Sequence, residues 1–359
     1  MNGAEKLTQL AEKHYASGRC GSIVLRVSTG NGRFECSASA GPASIVDSQP
    51  INASSPFFIA SATKLYTAAI VLQLVDEGVF KLGDRVASLI PKVDMSGIHC
   101  IRGVDRGAEI TVQHLMAHTS GLADYFEQGQ AGGSSIMGQL AAGNDRSWTL
   151  DDVLEMNRTR LKARFIPGTR KKAFYSDTNY QLLGAVIEYV TNSSYAENIE
   201  TRVTRPLGLA NTYVFSPLHV QRYDSIAAMK YGAQTLRIPQ AMASFGPDGG
   251  IVSTADECMI FLKAFMRGEI FQKHHLDDIQ VWNRIFFPLQ YGIGIMKFQL
   301  PRFFSPFSPL PLFIGHSGAS GTILFYCPAR DVYFCGTVNQ TKQRDLPYRM
   351  MMHALGYVD

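Results

Sequence analysis

Hydrophobic and polar positions along this chain change period twice. Near the start, Leu7, Leu10 and Ala11 recur at helical spacing among charges, which predicts an amphipathic first helix. The stretch GSIVLRVSTGNGRFECSASAG then places two runs of branched and small residues around TGNG, the pattern of a β-hairpin. Near the other end TILFYC, the turn PARD and VYFCGTVN repeat it, and LPYRMMMHAL predicts a final short helix. Between them, TVQHLMAHTSGL, TLDDVLEMNRT and NYQLLGAVIEYVTNSSYAENIETRVTRPLGL carry helical periodicity broken by Gly, Pro and cap residues. The organisation predicted is α+β: a sheet built by residues 1–84 and 236–359, with a helix-rich insert over 85–235 and a cleft between the two. The Pro-rich, aromatic FQLPRFFSPFSPLPLF reads as a rigid loop covering apolar surface.

Composition narrows the class. The 359 residues are 46% hydrophobic with a formal net charge of +4, enough for a full core. The densest basic cluster, Arg170, Lys171 and Lys172, reads as a short loop feature, so no nucleic-acid partner is expected. No run of eighteen apolar residues predicts a membrane span, and the first residues lack the apolar core of a signal peptide. A cytoplasmic protein is expected, or a periplasmic one if a leader has been removed. The six cysteines show no metal-binding cadence and read as reduced thiols, although a hairpin turning at PARD could set Cys327 opposite Cys335.

The chemistry starts at FIASATKLYTAAIVLQLVDEG. Leu65, Ala68, Ala69, Leu72 and Val75 keep helical spacing and Gly78 suits a C-terminal cap, which places Ser61 on the first helical turn. Residues three apart share a helix face, so the Lys64 amine can approach the Ser61 hydroxyl. The helix N-terminus and burial both disfavour a charged lysine, and a lysine so depressed can serve as a base. Alternatively, Ser61 is a helix cap and Lys64 a solvated side chain. Tyr175, in the polar turn of AFYSDTNY, could relay a proton beside such a lysine, or simply anchor the turn. In FIGHSGASGTILF, His316, Ser317 and Gly318 precede a strand, and the Ala319 N–H could donate to an oxyanion.

SATK, YSD and HSG, in this order and at these separations, resemble the three motifs of the serine β-lactamase and penicillin-binding protein superfamily, especially its class C-like esterases, D-aminopeptidases and DD-peptidases. LMAHTSGL, PLGLANTYV, GPDGGIVSTADE and LQYGIGI occupy matching places, so the resemblance runs from about Ala11 to Asn339. It implies the β-lactamase/transpeptidase-like fold and a serine hydrolase acting through an acyl-enzyme on an ester, amide or peptide, with a β-lactam at most a weak substrate. No metal or organic cofactor is implied. Ser61 would be the nucleophile, Lys64 its base and Tyr175 the relay. His316 would open the third motif, with Ser317 and Gly318 beside the substrate and the N–H groups of Ser61 and Ala319 forming the oxyanion hole. Two departures stand out: Asp177 replaces an Asn common in relatives, and His316 replaces a Lys. An ionised Asp177 would keep Lys64 cationic and repel anionic substrates, which favours neutral or amine-bearing ones. An acyltransferase, or an inert recognition scaffold that kept the fold, are the alternatives; oligomeric state is not legible.

Other residues read as structural. His114 and His118 stand four apart but lack further ligands, so capping or packing is expected. Asp151, Asp152 and Glu155 read as helix-start residues, GPDGG as a turn, and Tyr125, Phe126 and Trp148 as cleft border or core.

Overall fold

The computed structural model describes residues 2–129, 133–304 and 310–358. Helix α1 (Gly3–Ala16) starts at Asn2, whose side chain accepts from the Glu5 N–H in a reciprocal capping box, and it buries Leu7, Leu10 and Ala11. Those three side chains lie on the sheet.

The sheet has eight antiparallel strands. Its members are β1 (Ile23–Thr29), β2 (Glu35–Ala40), β3 (Asn283–Phe286), β4 (Leu289–Tyr291), β5 (Met296–Phe298), β6 (Phe313–Gly318), β7 (Thr322–Cys327) and β8 (Val332–Thr337). Their spatial order is β3-β4-β5-β6-β7-β8-β1-β2, so the N-terminal hairpin completes a sheet begun by the C-terminal strands. Strand alternation divides the core in two. Ile23, Leu25 and Val27 face α1 and the last helix (Leu346–Leu355), while Val24 joins the larger core on the other face.

The same alternation separates two cysteines. Cys327 lies opposite Val332 and Cys335 opposite Leu324, on opposite faces of the sheet, and all six cysteines are free. The face-to-face pairing that PARD suggested does not occur, because the turn sets a register in which Cys335 opposes Leu324, three residues from Cys327, and an odd offset puts the two on opposite faces.

Helix α2 (Thr63–Asp76) is buried nearly all round and forms the centre of the larger core. Beside it lies α4 (Asp177–Thr191), against which α3 (Leu150–Thr159), capped by Thr149 and Asp152, packs in turn. Helix α5 (Ala255–Arg267) packs on the inner face of the sheet, contacting β8. A hairpin of Lys230–Tyr231 with Gln234–Thr235, unanticipated from periodicity, falls in the helix-rich part. The centre of FQLPRFFSPFSPLPLF, residues 305–309, lies outside the described residues.

Candidate active site

Phe57–Phe58 pairs with Ile251–Ser253, and the Ile59 N–H extends that ladder to the Ile251 carbonyl. Ala60 then turns left-handed, with φ of 46°, and leads into a 3₁₀ turn over Ala60–Ala62. That backbone region costs an L-residue about 1 kcal/mol, and the strand before it and the helix after it hold the strained residue in place. Ser61 therefore sits on the tight turn just before α2, at the cleft, with Lys64 in the helix's first turn below it.

Strand β6 closes against this turn from the sheet side. A side chain at Gly318 would collide with the Ile59 carbonyl and crowd the Ala60 side chain, so only glycine allows the approach. The Ser320 hydroxyl, just past β6, donates to the Phe58 carbonyl at 2.9 Å and pins the two segments together. Ser61 and Ala319 consequently border two clefts at once.

Lys64 is wholly buried, which excludes the solvated-lysine alternative. Its Nζ donates to Asp177 Oδ1 and to the Asp248 carbonyl, each at 2.6 Å, and lies 5.1 Å from the Tyr175 ring centroid. Burial pushes its pKa down, yet the carboxylate of Asp177, with Tyr175 and Asp248 beyond it, more than restores the charge and the net shift is upward. Asp177 is itself raised by burial, against the pull of Lys64. The lysine expected to be depressed is thus held as a cation in the resting enzyme, the consequence anticipated from an ionised Asp177.

The Tyr175 hydroxyl is buried and makes no hydrogen bond of good geometry at rest. Burial raises its pKa strongly; Lys64 and Ser61, close by, act in the opposite direction. Its ring stacks at 4.3 Å on His118, whose Nδ1 accepts from the Ser176 N–H at 3.2 Å and the Asn179 amide at 2.9 Å. His118 is thus the support under Tyr175, and His114 caps a helix start through Thr111. Neither is placed as a metal ligand.

His316 faces away from both clefts. Its Nδ1–H donates to the Ser317 carbonyl at 2.7 Å, and its Nε2 accepts from the Tyr291 hydroxyl at 2.9 Å, which in turn meets Tyr180 at 3.1 Å. Burial and the nearby Lys64 lower it to about 3, so the ring is neutral. It shapes the third motif from behind, while Ser317 and Gly318 line the second cleft and Asp177 lines the first.

Several contributors were not singled out by sequence reasoning. Asp248, read as part of a turn, supplies a carbonyl to Lys64 while its carboxyl accepts from Tyr125 at 2.8 Å and Gln181 at 3.1 Å. Asp124 accepts from the backbone N–H groups of Asp177 and Glu127 and is raised to about 8 by burial and the nearby Asp177. Tyr291, within LQYGIGI, holds His316. The available signal was an acidic residue inside an otherwise apolar or glycine-rich stretch, which needs a buried partner.

The first cleft is walled by Phe126, Leu140, Met229, Ile238, Met242 and Phe245, with Asp177 and Asp248 at its polar end. Phe126 therefore borders the cleft, while Tyr125 and Trp148 are buried. The second is bordered by Tyr175, Phe286, Phe287, Met296, Tyr348 and Arg344. Arg344 is tied to Glu127 at 2.7 Å, and Arg349 to Asp345 at 3.2 Å, so neither offers a free charge.

Residues 7–354 match the Beta-lactamase family model. The chain belongs to this family. Among curated relatives, penicillin-binding protein 4* of Bacillus subtilis is 30% identical over 218 residues, 60% of this chain and 42% of that protein. A putative D-alanyl-D-alanine carboxypeptidase of Escherichia coli is 33% identical over 178 residues, 49% of this chain and 38% of its own. This beta-lactamase-family chain thus spans less than half the length of these relatives. In structure it resembles the D-amino acid amidase of Ochrobactrum anthropi, with a TM-score of 0.77 at 20% identity over 98% of this chain and 100% of that one. The α+β, β-lactamase/transpeptidase-like fold expected from the motifs is the fold found. Among the described residues no helix is long and apolar enough to cross a membrane.

Proposed function

We propose that this protein is a serine hydrolase that cleaves a small ester or amide through an acyl-enzyme on Ser61. The observation that carries the reading is a half-buried serine at the junction of two clefts, one helical turn above a fully buried lysine. Burying an amine is costly, and Lys64 is kept there by partners that control its proton.

The proton route follows from the short Lys64–Asp177 contact. A resting ammonium cannot accept the serine proton. The attacking state is the one in which Lys64 has lost its proton to solvent, a state that burial favours and the Asp177 carboxylate, 2.6 Å away, opposes. Lys64 then takes the Ser61 proton as Oγ attacks the carbonyl, with Tyr175 positioned to pass it to the leaving group. The N–H groups of Ser61 and Ala319 hold the oxyanion. Water releases the acid. The second cleft also has room for an alcohol or amine, which would make the same intermediate an acyl donor.

The apolar first cleft suits a bulky hydrocarbon or aromatic group, and the carboxylate at its end favours a neutral or amine-bearing substrate over a carboxylate. D-amino-acid amides and esters satisfy both conditions; β-lactams, with a carboxylate and only a neutral His316 at the third motif, do not. Intact mass after treatment with a fluorophosphonate probe tests the reading. An adduct on the unmutated chain that is absent from Ser61→Ala is expected, and no adduct on either would favour an inert scaffold.

A further inference from the structure

Away from the clefts, residues 160–172 carry six cations, Arg160, Lys162, Arg164, Arg170, Lys171 and Lys172, and no acid. That is more than the net charge of the whole chain. The fold gathers further charge onto the same face. Two hollows adjoin there, sharing Arg164, Phe165 and Lys172; Arg102 and Lys162 border one, and Lys171 and Arg284 the other. No Asp or Glu lines either hollow. Arg158, at the edge, is compensated by Asp94 and Glu155, whereas Arg102, Lys162, Arg164, Lys171, Lys172 and Arg284 are exposed and make no ion pair among the described residues.

A positive face of this kind repels itself and draws anions toward it. Apolar side chains accompany the charges: Ile166, which lines one hollow, is 41% exposed, and Phe286, on the same strand as Arg284, is 50% exposed. Cations surrounding exposed aliphatic and aromatic groups match an interface of headgroups over acyl chains. The Phe174 ring in one hollow is covered by the Arg164 guanidinium at 4.5 Å and offers no face for stacking a base.

We infer that this face docks reversibly on an anionic lipid surface. Arg284, which lines one hollow, shares β3 with Phe286, which borders the second cleft, and Ala173 and Phe174 of the same hollow lead directly into Tyr175. Docking therefore turns the mouth of the second cleft toward the bilayer.

The test is co-sedimentation of the full chain with vesicles of phosphatidylcholine alone or mixed with phosphatidylglycerol. Binding to the mixed vesicles only, weakened by salt, is expected. Lys162→Glu/Lys171→Glu/Lys172→Glu should lower it at least about a hundredfold, since each lost contact is worth roughly fivefold. Ile166→Ser should weaken it further, with circular dichroism and solution ester turnover unchanged in both. No binding, equal binding to neutral vesicles, or insensitivity to the charge reversals would overturn the inference. So would retention on heparin or DNA without retention on vesicles, which would reassign the face to a soluble polyanion.

Discussion

Asp177 decides how the chemistry responds to pH. Its carboxylate favours protonated Lys64, so the neutral amine forms only at higher pH, and the rising limb of kcat/KM should lie on the alkaline side. Asp177→Asn removes that charge and should move the limb about one to three pH units toward acid, read from a pH–rate profile on a small ester. An unmoved limb would mean that Lys64 does not set it. Tyr175→Phe keeps the ring on His118 but deletes the hydroxyl, so kcat should fall roughly a hundredfold or more with the melting temperature little changed. Ser61, Lys64 and Tyr175 were legible because the three motifs fall in order along the chain. Asp124 and Asp248 were not, since nothing local marks an acid whose partners lie in distant segments.

At the scale of elements, the site depends on two segments meeting: the turn before α2 and the end of β6. Gly318→Val should push β6 off the Ile59–Ala60 backbone and abolish probe labelling of Ser61. Because the clash is local, far-ultraviolet circular dichroism should remain close to that of the parent. Helix α1 lies on the opposite face of the sheet. Leu7→Ala there should cost about 2–4 kcal/mol in chemical denaturation while leaving the labelling rate intact. Both hairpins and both terminal helices were readable from period and turn residues. The register that separates Cys327 from Cys335 was not, because a turn sequence names a reversal without fixing which residues oppose.

Buried ionisable groups of both signs shape the stability of the whole molecule. His118 and His316 are held neutral, His316 at about 3, so the unfolded chain binds protons that the folded chain refuses once pH drops below about 6.5. Stability from these groups is present above that pH and is lost as pH falls toward 3. Asp124 is raised to about 8 and Asp248 well above its ordinary value, both by burial, so these two run the other way: full below about 4 and lost as pH rises, for Asp124 until about 8. The two slopes oppose each other between about 4 and 6.5. Thermal midpoints should therefore be flat in that interval and decline on both sides, and a monotonic profile would contradict the assignment. The sequence by itself determined the strand and helix order, the order of the three motifs and the candidate serine–lysine pair, because periodicity and short spacings act within a few residues. Only the tertiary structure decided that Lys64 rests as a cation between Asp177 and the Asp248 carbonyl, that His316 works from behind its strand, and that scattered cations share one face. Charge states and surfaces depend on groups more than a hundred residues apart, and folding alone brings them within bonding distance.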